Sequence, residues 1–318
     1  MKKILFTFYI PAEYLKDFDD KYELFMPEKG SLKRDEVMGM INDYHVIVPN
    51  FSFQTDKEMI DKGTKLELIS NCAVGFNNVD VDYAKEKGVT VTNIPNSVKE
   101  PTAEFAFALL LAAARNIGCM DRNIRSHKGV KWGFYDELSL SVYGKTLGII
   151  GMGRIGQAIA HRALAFGMTV QYYNRHRLSR EIEEQYRATY MPLERLLKES
   201  DFISLNAPST PETLHMIGKK EFEMMKPTAV FVNTARGNMV DEGALVEALK
   251  NGTIAAAGID VFDKEPKIHP GLLELDNVTL APHAATRTVE ARRDMTYEII
   301  HNILGFYEGS FPISKVNL

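Results

Sequence analysis

The stretch "KTLGIIGMGRIGQAIAHRALAFGMTVQYYNRHR", residues 145–177, decides how this chain is read. It begins with a short apolar strand pattern, "TLGII", and runs into Gly151, Gly153 and Gly156 in G-x-G-x-x-G spacing. An amphipathic helical pattern, "RIGQAIAHRALAF", follows at once, and "TVQYY" resumes the strand pattern. The glycine spacing alone is a weak signal; its place between a strand and a helix gives it meaning. Gly151 permits the tight turn, Gly153 lets backbone approach a pyrophosphate, and Gly156 lets the helix pack close to the strand. The pyrophosphate of a dinucleotide then meets free N–H groups at the helix N-terminus, where Arg154 and Ile155 stand.

The second strand of this unit runs out at Asn174, eighteen residues beyond Gly156. An NAD site places a carboxylate near this point, to accept from the ribose 2′-OH and repel a 2′-phosphate. Asn174 carries no such charge, and Arg175 and Arg177 supply guanidinium forks suited to phosphate. The reading is therefore a preference for NADP. NAD is the alternative if the arginines face solvent.

Working outward, the same alternation of short apolar strands and amphipathic helices covers almost all 318 residues. "KKILFTFY", "YHVIVPN", "KLELISNCAVG" and "VTVTNIP" read as strands in the first hundred residues, and "FISLNAP", "AVFVNT" and "AAAGIDVF" join the two strands above in the later part. This is the signature of parallel α/β architecture. Residues 102–125 read as one long, mostly apolar helix, buried at a domain boundary or a subunit interface.

A composition 45% hydrophobic and 25% charged is that of a soluble globular protein, and a net charge of −4 argues against nucleic acid as a partner. No apolar run is long enough to span a membrane. The N-terminal "MKKILFTFYIPAEY" has too short an apolar run for a signal peptide and reads as a first strand. Cys72 and Cys119 alone make neither a disulfide framework nor a zinc site, and no metal is expected. Two thiols fit a reducing, cytoplasmic location.

Three later stretches carry residues able to do chemistry. "FVNTARGNMVDEGAL" places Arg236 just past a strand end, "AAAGIDVFDKEP" places Asp260 on a strand and Glu265 in the next loop, and "VTLAPHAATRT" places His283 after a short strand. Ligands of parallel sheets sit beyond the carboxyl ends of strands, so these groups can converge. Their types match hydride transfer to a 2-keto acid. Arg236 can clamp a carboxylate and polarise the keto oxygen, and His283 can protonate that oxygen. Glu265 can fix the imidazole tautomer and favour its charged form. Singly, each has a plainer reading: a surface arginine, a loop charge, a satisfied core histidine. His161, His215 and His301 could be nominated on spacing alone, but each falls in a helical pattern.

Together "KTLGIIGMGRIGQAIAHRA", "NTARGNMVDEGALVEAL", "GIDVFDKEP" and "APHAA", with "NCAVGFNNVD" and "TAEFAFALLLAAAR", resemble the D-isomer-specific 2-hydroxyacid dehydrogenase family over nearly the whole chain. The resemblance implies two Rossmann-like domains with a cleft between them, residues 1–100 plus 287–318 holding substrate and 101–286 holding the dinucleotide. It implies a homodimer, with Trp132 a candidate to reach the partner's site, and domain closure over the substrate. Arg236, Glu265 and His283 match the family's catalytic residues, and Val74 and Gly75 match the loop whose N–H groups bind the substrate carboxylate. Thr102, Pro208, Thr234, Ala235 and Asp260 match positions along the cofactor. The "NRHR" segment is similar to the NADPH-using glyoxylate, hydroxypyruvate and 2-ketogluconate reductases of the family. A nucleotide-sensing binding protein, like the family's C-terminal-binding-protein corepressors, is the competing reading, because those retain similar triad residues. Substrate choice is expected to depend on side chains around Asn50, Phe51 and Val74.

Overall fold

The computed structural model describes residues 1–18, 20–127 and 131–317. The chain forms two units, Met1–Val98 with Arg287–Leu318, and Lys99–Thr286. The boundary expected after residue 100 falls after Val98, because the helix Lys99–Ala114 belongs wholly to the second unit.

In the first unit five strands, β1 (Lys2–Phe6), β2 (Tyr22–Phe25), β3 (Val46–Val48), β4 (Leu68–Ser70) and β5 (Thr90–Thr92), pair in parallel in the order β2-β1-β3-β4-β5. Successive side chains point to opposite faces, and both faces of the central strands are covered, so their buried positions are mostly apolar. Ile4, Phe6, Val46, Val48 and Leu68 pack with Met295, Ile299 and Ile303 of the helix Val289–Glu308. Leu5, Ile47, Ile69 and Val91 pack on the other face with Val37, Ile41, Met59 and Ile60. Each fully buried Leu or Ile among them contributes about 1.5–3 kcal/mol. The helix Val289–Glu308 starts where the Thr288 hydroxyl accepts from the Ala291 N–H, and it returns the chain's end to this unit.

The second unit adds β6 (Thr146–Ile150), β7 (Thr169–Tyr173), β8 (Ala188–Tyr190), β9 (Phe202–Leu205), β10 (Val230–Asn233), β11 (Ala256–Ile259) and β12 (Val278–Leu280). All pairings are parallel, in the order β12-β11-β10-β9-β6-β7-β8. The chain builds outward from β6 through β7 to β8, then returns to lay β9 on the other side of β6. That reversal is where such sheets bind dinucleotides.

The single helix expected over 102–125 is two. Lys99–Ala114 and Ile117–Arg125 meet at a bend of 64°. Asn116 takes a left-handed conformation, φ 52°, which asparagine tolerates better than most residues, and the Leu140 N–H satisfies the Ala114 carbonyl. The first helix is core: Ala103, Ala106, Phe107 and Leu110 are buried, and it packs on the helix Arg154–Ala165 and on β10 and β11. The second leaves Ile117 and Ile124 exposed. Among the described residues no single helix is long and apolar enough to cross a membrane.

Candidate active site

The glycine turn between β6 and the helix Arg154–Ala165 is shaped for a close approach. Gly151 has φ +93°, and a side chain there would put Cβ 2.5 Å from the Ala207 nitrogen, on the segment that follows β9. A Cβ on Gly153 would meet nothing within 4 Å, and no side chain caps the helix that Gly153 opens. The space and the uncapped N–H groups lie on the same turn, which is what a pyrophosphate requires. Arg154 is exposed and Ile155 half-buried at this helix start.

Asn174 directly follows β7, and its Oδ1 accepts from the Met152 N–H at 2.7 Å. The residue thus ties the strand end to the glycine turn and leaves its amide N–H₂ as the remaining polar group. Arg175 is exposed, and among the described residues no carboxylate pairs with it. Arg177 differs from the sequence expectation. Its Nε and Nη2 donate to Glu183 at 2.8 Å each, and its guanidinium lies 5.9 Å from the centre of the Tyr190 ring. Arg177 and the Tyr172 hydroxyl together draw the Glu183 carboxyl down to about 2. Of the two arginines, Arg175 is the one without a carboxylate partner among the described residues.

Further along the carboxyl ends of the sheet, Asn206 Oδ1 after β9 and Thr234 Oγ1 after β10 are buried without a hydrogen-bond partner. Buried polar atoms are nearly always satisfied, so both suit a polar ligand at the strand ends. The chain's own residues fit a bound dinucleotide. Pro208 is exposed near Asn206 and Thr102 is buried in the first turn of its helix.

Arg236, Glu265 and His283 each follow a strand of this sheet. Asn233, the last residue of β10, shapes the arginine turn: its Oδ1 accepts from the Ala235 N–H at 2.9 Å and its Nδ2 donates to the Arg236 carbonyl at 3.0 Å. Arg236 Nη1 donates to the Ala235 carbonyl at 2.7 Å. Burial draws its guanidinium below the ordinary value, and the Glu265 charge opposes that. Gly237 follows, packed so tightly that a Cβ would overlap the Phe262 carbonyl group and the Asp263 nitrogen.

His283 Nδ1 and Glu265 Oε2 are 2.8 Å apart, and Glu265 Oε1 accepts from the Phe262 N–H at 3.1 Å. Burial pushes the Glu265 carboxyl up, but the His283 hydrogen bond and charge, with help from the Phe262 N–H and Arg236, hold it below the usual glutamate value. A carboxylate in that state orients the ring with Nδ1–H toward itself. His215, which the sequence put in a helical pattern, lies in a turn with φ 46°, whereas His161 and His301 are helical.

Asp260 lies one residue past β11 rather than on it. Its carboxylate is fully buried beneath the histidine loop. Oδ1 accepts from Ala284 N–H at 2.7 Å, Oδ2 from Ala285 N–H at 3.1 Å, and the Asp260 carbonyl accepts from His283 N–H at 2.7 Å. Burial raises its carboxyl above the ordinary value despite those two N–H donors. Asp260 thus acts on the backbone that presents His283, whose φ of 51° an unsupported loop would relax.

In the first unit, the Val74 and Gly75 carbonyls accept from Asn93 Nδ2 at 2.8 Å and Asn71 Nδ2 at 2.9 Å. Asn78 in turn donates to Asn71 Oδ1 at 3.0 Å. With the carbonyls held, the Val74 and Gly75 N–H groups have no protein acceptor among the described residues. The sequence reading passed over this buried asparagine set, and over Asn233. Their one visible signal was the unusual asparagine content of "SNCAVGFNN" and "VTNIPN".

A glycine turn at the chain reversal, a basic residue beside an imidazole–carboxylate pair and an uncharged amide just past the second strand define a nicotinamide-dinucleotide oxidoreductase. Comparison with known proteins narrows this. Residues 107–285 match the profile of the D-isomer specific 2-hydroxyacid dehydrogenase, NAD binding domain. The glyoxylate reductase of Thermococcus gammatolerans is 44% identical over 99% of this chain and 96% of its own length. A solved structure from Thermus thermophilus superposes with a TM-score of 0.91 at 35% identity, covering 99% of both chains. The NADPH-dependent glyoxylate/hydroxypyruvate reductase of Sinorhizobium meliloti, solved with NADP and malonate, gives a TM-score of 0.85 at 32% identity over 99% of this chain and 96% of that one. The chain belongs to the D-isomer specific 2-hydroxyacid dehydrogenase family. It is an NAD(P)-dependent oxidoreductase that interconverts 2-keto acids and D-2-hydroxy acids.

Proposed function

We propose that the protein reduces glyoxylate and small related 2-keto acids, with NADPH preferred over NADH. The 2.8 Å His283–Glu265 pair on the carboxyl end of the sheet carries the catalytic part of this reading. The glyoxylate reductases 42–44% identical to the chain support the substrate. Gly151, Gly153, Arg154, Ile155 and Asn174 would hold the dinucleotide, with Thr102, Pro208, Thr234 and Ala235 along its length. When bound, the reduced nicotinamide supplies the hydride that the substrate's C2 receives. Arg236 draws electron density to the keto oxygen and pairs with the substrate carboxylate. The Val74 and Gly75 N–H groups are further donors to that carboxylate. With Nδ1–H directed at Glu265, His283 Nε2 is the nitrogen that gives its proton to the developing alkoxide. Glu265 compensates the imidazolium before that transfer.

Arg175 and the uncharged Asn174 support the NADPH preference. Steady-state oxidation of NADPH and NADH with glyoxylate, hydroxypyruvate and 2-ketogluconate tests it. The expected result is a kcat/KM for NADPH at least about 10-fold higher, with most of that advantage gone in Arg175→Ala, as losing a charge-assisted hydrogen bond would require. Equal use of the two dinucleotides would sink the preference. No turnover of any 2-keto acid would favour a nucleotide-sensing role.

We also propose a homodimer. Trp132, Phe134 and Tyr135 are 91%, 88% and 79% exposed, close in sequence to the open apolar face of Ile117–Arg125. Exposed large apolar side chains in such number mark an interface. Sedimentation at micromolar concentration should give twice the chain mass, and Trp132→Ala with Phe134→Ala should shift it toward monomer. A wild-type monomer would overturn the assignment.

A further inference from the structure

In the five-stranded sheet the chain leaves β1 for β2 on one side and then adds β3 on the other. Such a reversal opens a crevice at the carboxyl ends of the two central strands, and open parallel sheets take ligands there. A cavity of about 570 Å³ lies at this place. Ile10 lines it from the segment after β1, Asn50 and Phe51 from the segment after β3, Arg287 from the segment just before the helix Val289–Glu308, and Arg292 from that helix's first turn. Cys72 lines it too, two residues before Val74. The cavity therefore adjoins the loop read above as the holder of the substrate carboxylate.

One cation on its wall, Arg292, has no carboxylate partner among the described residues. Its Nη1 comes no closer to a partner than the Met295 sulfur, at 3.5 Å. Two acids of the same helix are engaged elsewhere. Asp294 pairs with Arg293 at 2.9 Å, and the two oxygens of Glu298 accept from the Asn96 and Ser97 N–H groups at 3.1 and 2.8 Å. Although Arg292 is partly open to solvent, burial draws its guanidinium below the ordinary value; Cys72 opposes this and repulsion from Arg287 adds to it. An anion entering the cavity would relieve that repulsion, and Ile10 and Phe51 offer apolar walls to a short carbon chain.

We propose that this cavity is a subsite for the far end of the substrate, with Arg292 as the partner of a second anionic group and Arg287 adding to the positive potential. The substrate class then extends from short 2-keto acids to those with a distal carboxylate or phosphate. This rests on the 2-keto acid reductase reading and on Val74–Gly75 as the first carboxylate's loop.

Two matched substrate pairs test it. 2-Oxoglutarate against 2-oxovalerate isolates a distal carboxylate, and 3-phosphohydroxypyruvate against hydroxypyruvate isolates a phosphate. In at least one pair the anionic member should have the higher kcat/KM, through KM, and the pair with the larger ratio identifies the anion. Arg292→Gln should lower that ratio about 10–100-fold, and Arg292→Lys should restore part of it. Ratios near one in both pairs, or a ratio that Arg292→Gln leaves unchanged, would overturn the subsite. Calorimetric binding of glutarate and of valerate to the wild type and to Arg292→Gln reads the same contact without turnover. If no 2-keto acid is reduced but glutarate binds more tightly than valerate, and Arg292→Gln abolishes the difference, the subsite stands and the catalytic reading alone fails. If glutarate shows no such preference and neither pair discriminates, the subsite fails whatever the turnover of glyoxylate.

Discussion

With His283 changed to alanine, kcat should fall about 10²–10⁴-fold, the usual contribution of a positioned proton donor. The dinucleotide should still bind with unchanged affinity, because the ring belongs to the reaction end of the site and the glycine turn is untouched. His283 and its loop are held by contacts that are independent of substrate: the 2.8 Å approach of Nδ1 to Glu265, the His283 N–H on the Asp260 carbonyl, and the Ala284 and Ala285 N–H groups on the Asp260 carboxylate. So fixed, the imidazole needs little reorganisation to deliver a proton. Glu265→Gln is expected to produce a smaller loss in kcat together with a change in its pH profile, because a neutral amide can still orient the ring but cannot balance its charge. Single-turnover kinetics with saturating dinucleotide would check both. Near-normal kcat in His283→Ala would remove the histidine from the mechanism.

Gly237→Ala should produce the other large effect, and for a different reason. The added methyl overlaps the Phe262 carbonyl and the Asp263 nitrogen, all backbone, so no side-chain rotation can relieve it. Either the arginine turn or the segment leading to Glu265 must move. The first displaces Arg236 and the second loosens the Phe262 N–H bond that positions Glu265. Overpacking against backbone is expected to destabilise the second unit by more than about 3 kcal/mol, equivalent to a fall in Tm of roughly 6–12 °C for a unit of this size. Activity should be lost even in the folded fraction. Calorimetry together with kcat on the surviving protein tests this, and a variant with wild-type Tm and turnover would show that the turn is more pliable than its packing implies.

What could be read in the sequence follows from what is local. The glycine turn, the amide at position 174 and the strand-end residues 236, 265 and 283 are set by short patterns, because strand, turn and helix chemistry act over a few residues. The break at Asn116 was not legible. Helix propensity sums over a window, and an apolar run of Ala and Leu gives no sign that one asparagine turns left-handed once the core is full. β2 and β8, four and three residues long, are too short to show a period, and they form because a parallel neighbour offers its edge. Arg177 looked available to phosphate because its partner, Glu183, lies on the next helix and meets it only after the loop folds back. The burial of Asp260 was not legible either, since an acid satisfied by backbone N–H groups cannot be told from an exposed one by its letter alone.

The bond between Asn174 and the Met152 N–H has an evolutionary consequence. An aspartate at this position would accept from the same N–H with the same shape, so the glycine turn would keep its support while the strand end gained a negative charge. The side chain that would discriminate between the two dinucleotides can therefore go from neutral to negative through an isosteric step, with little effect on folding. Lineages of this fold could drift between cofactor pools by one such replacement, with the arginine at 175 lost or kept afterwards.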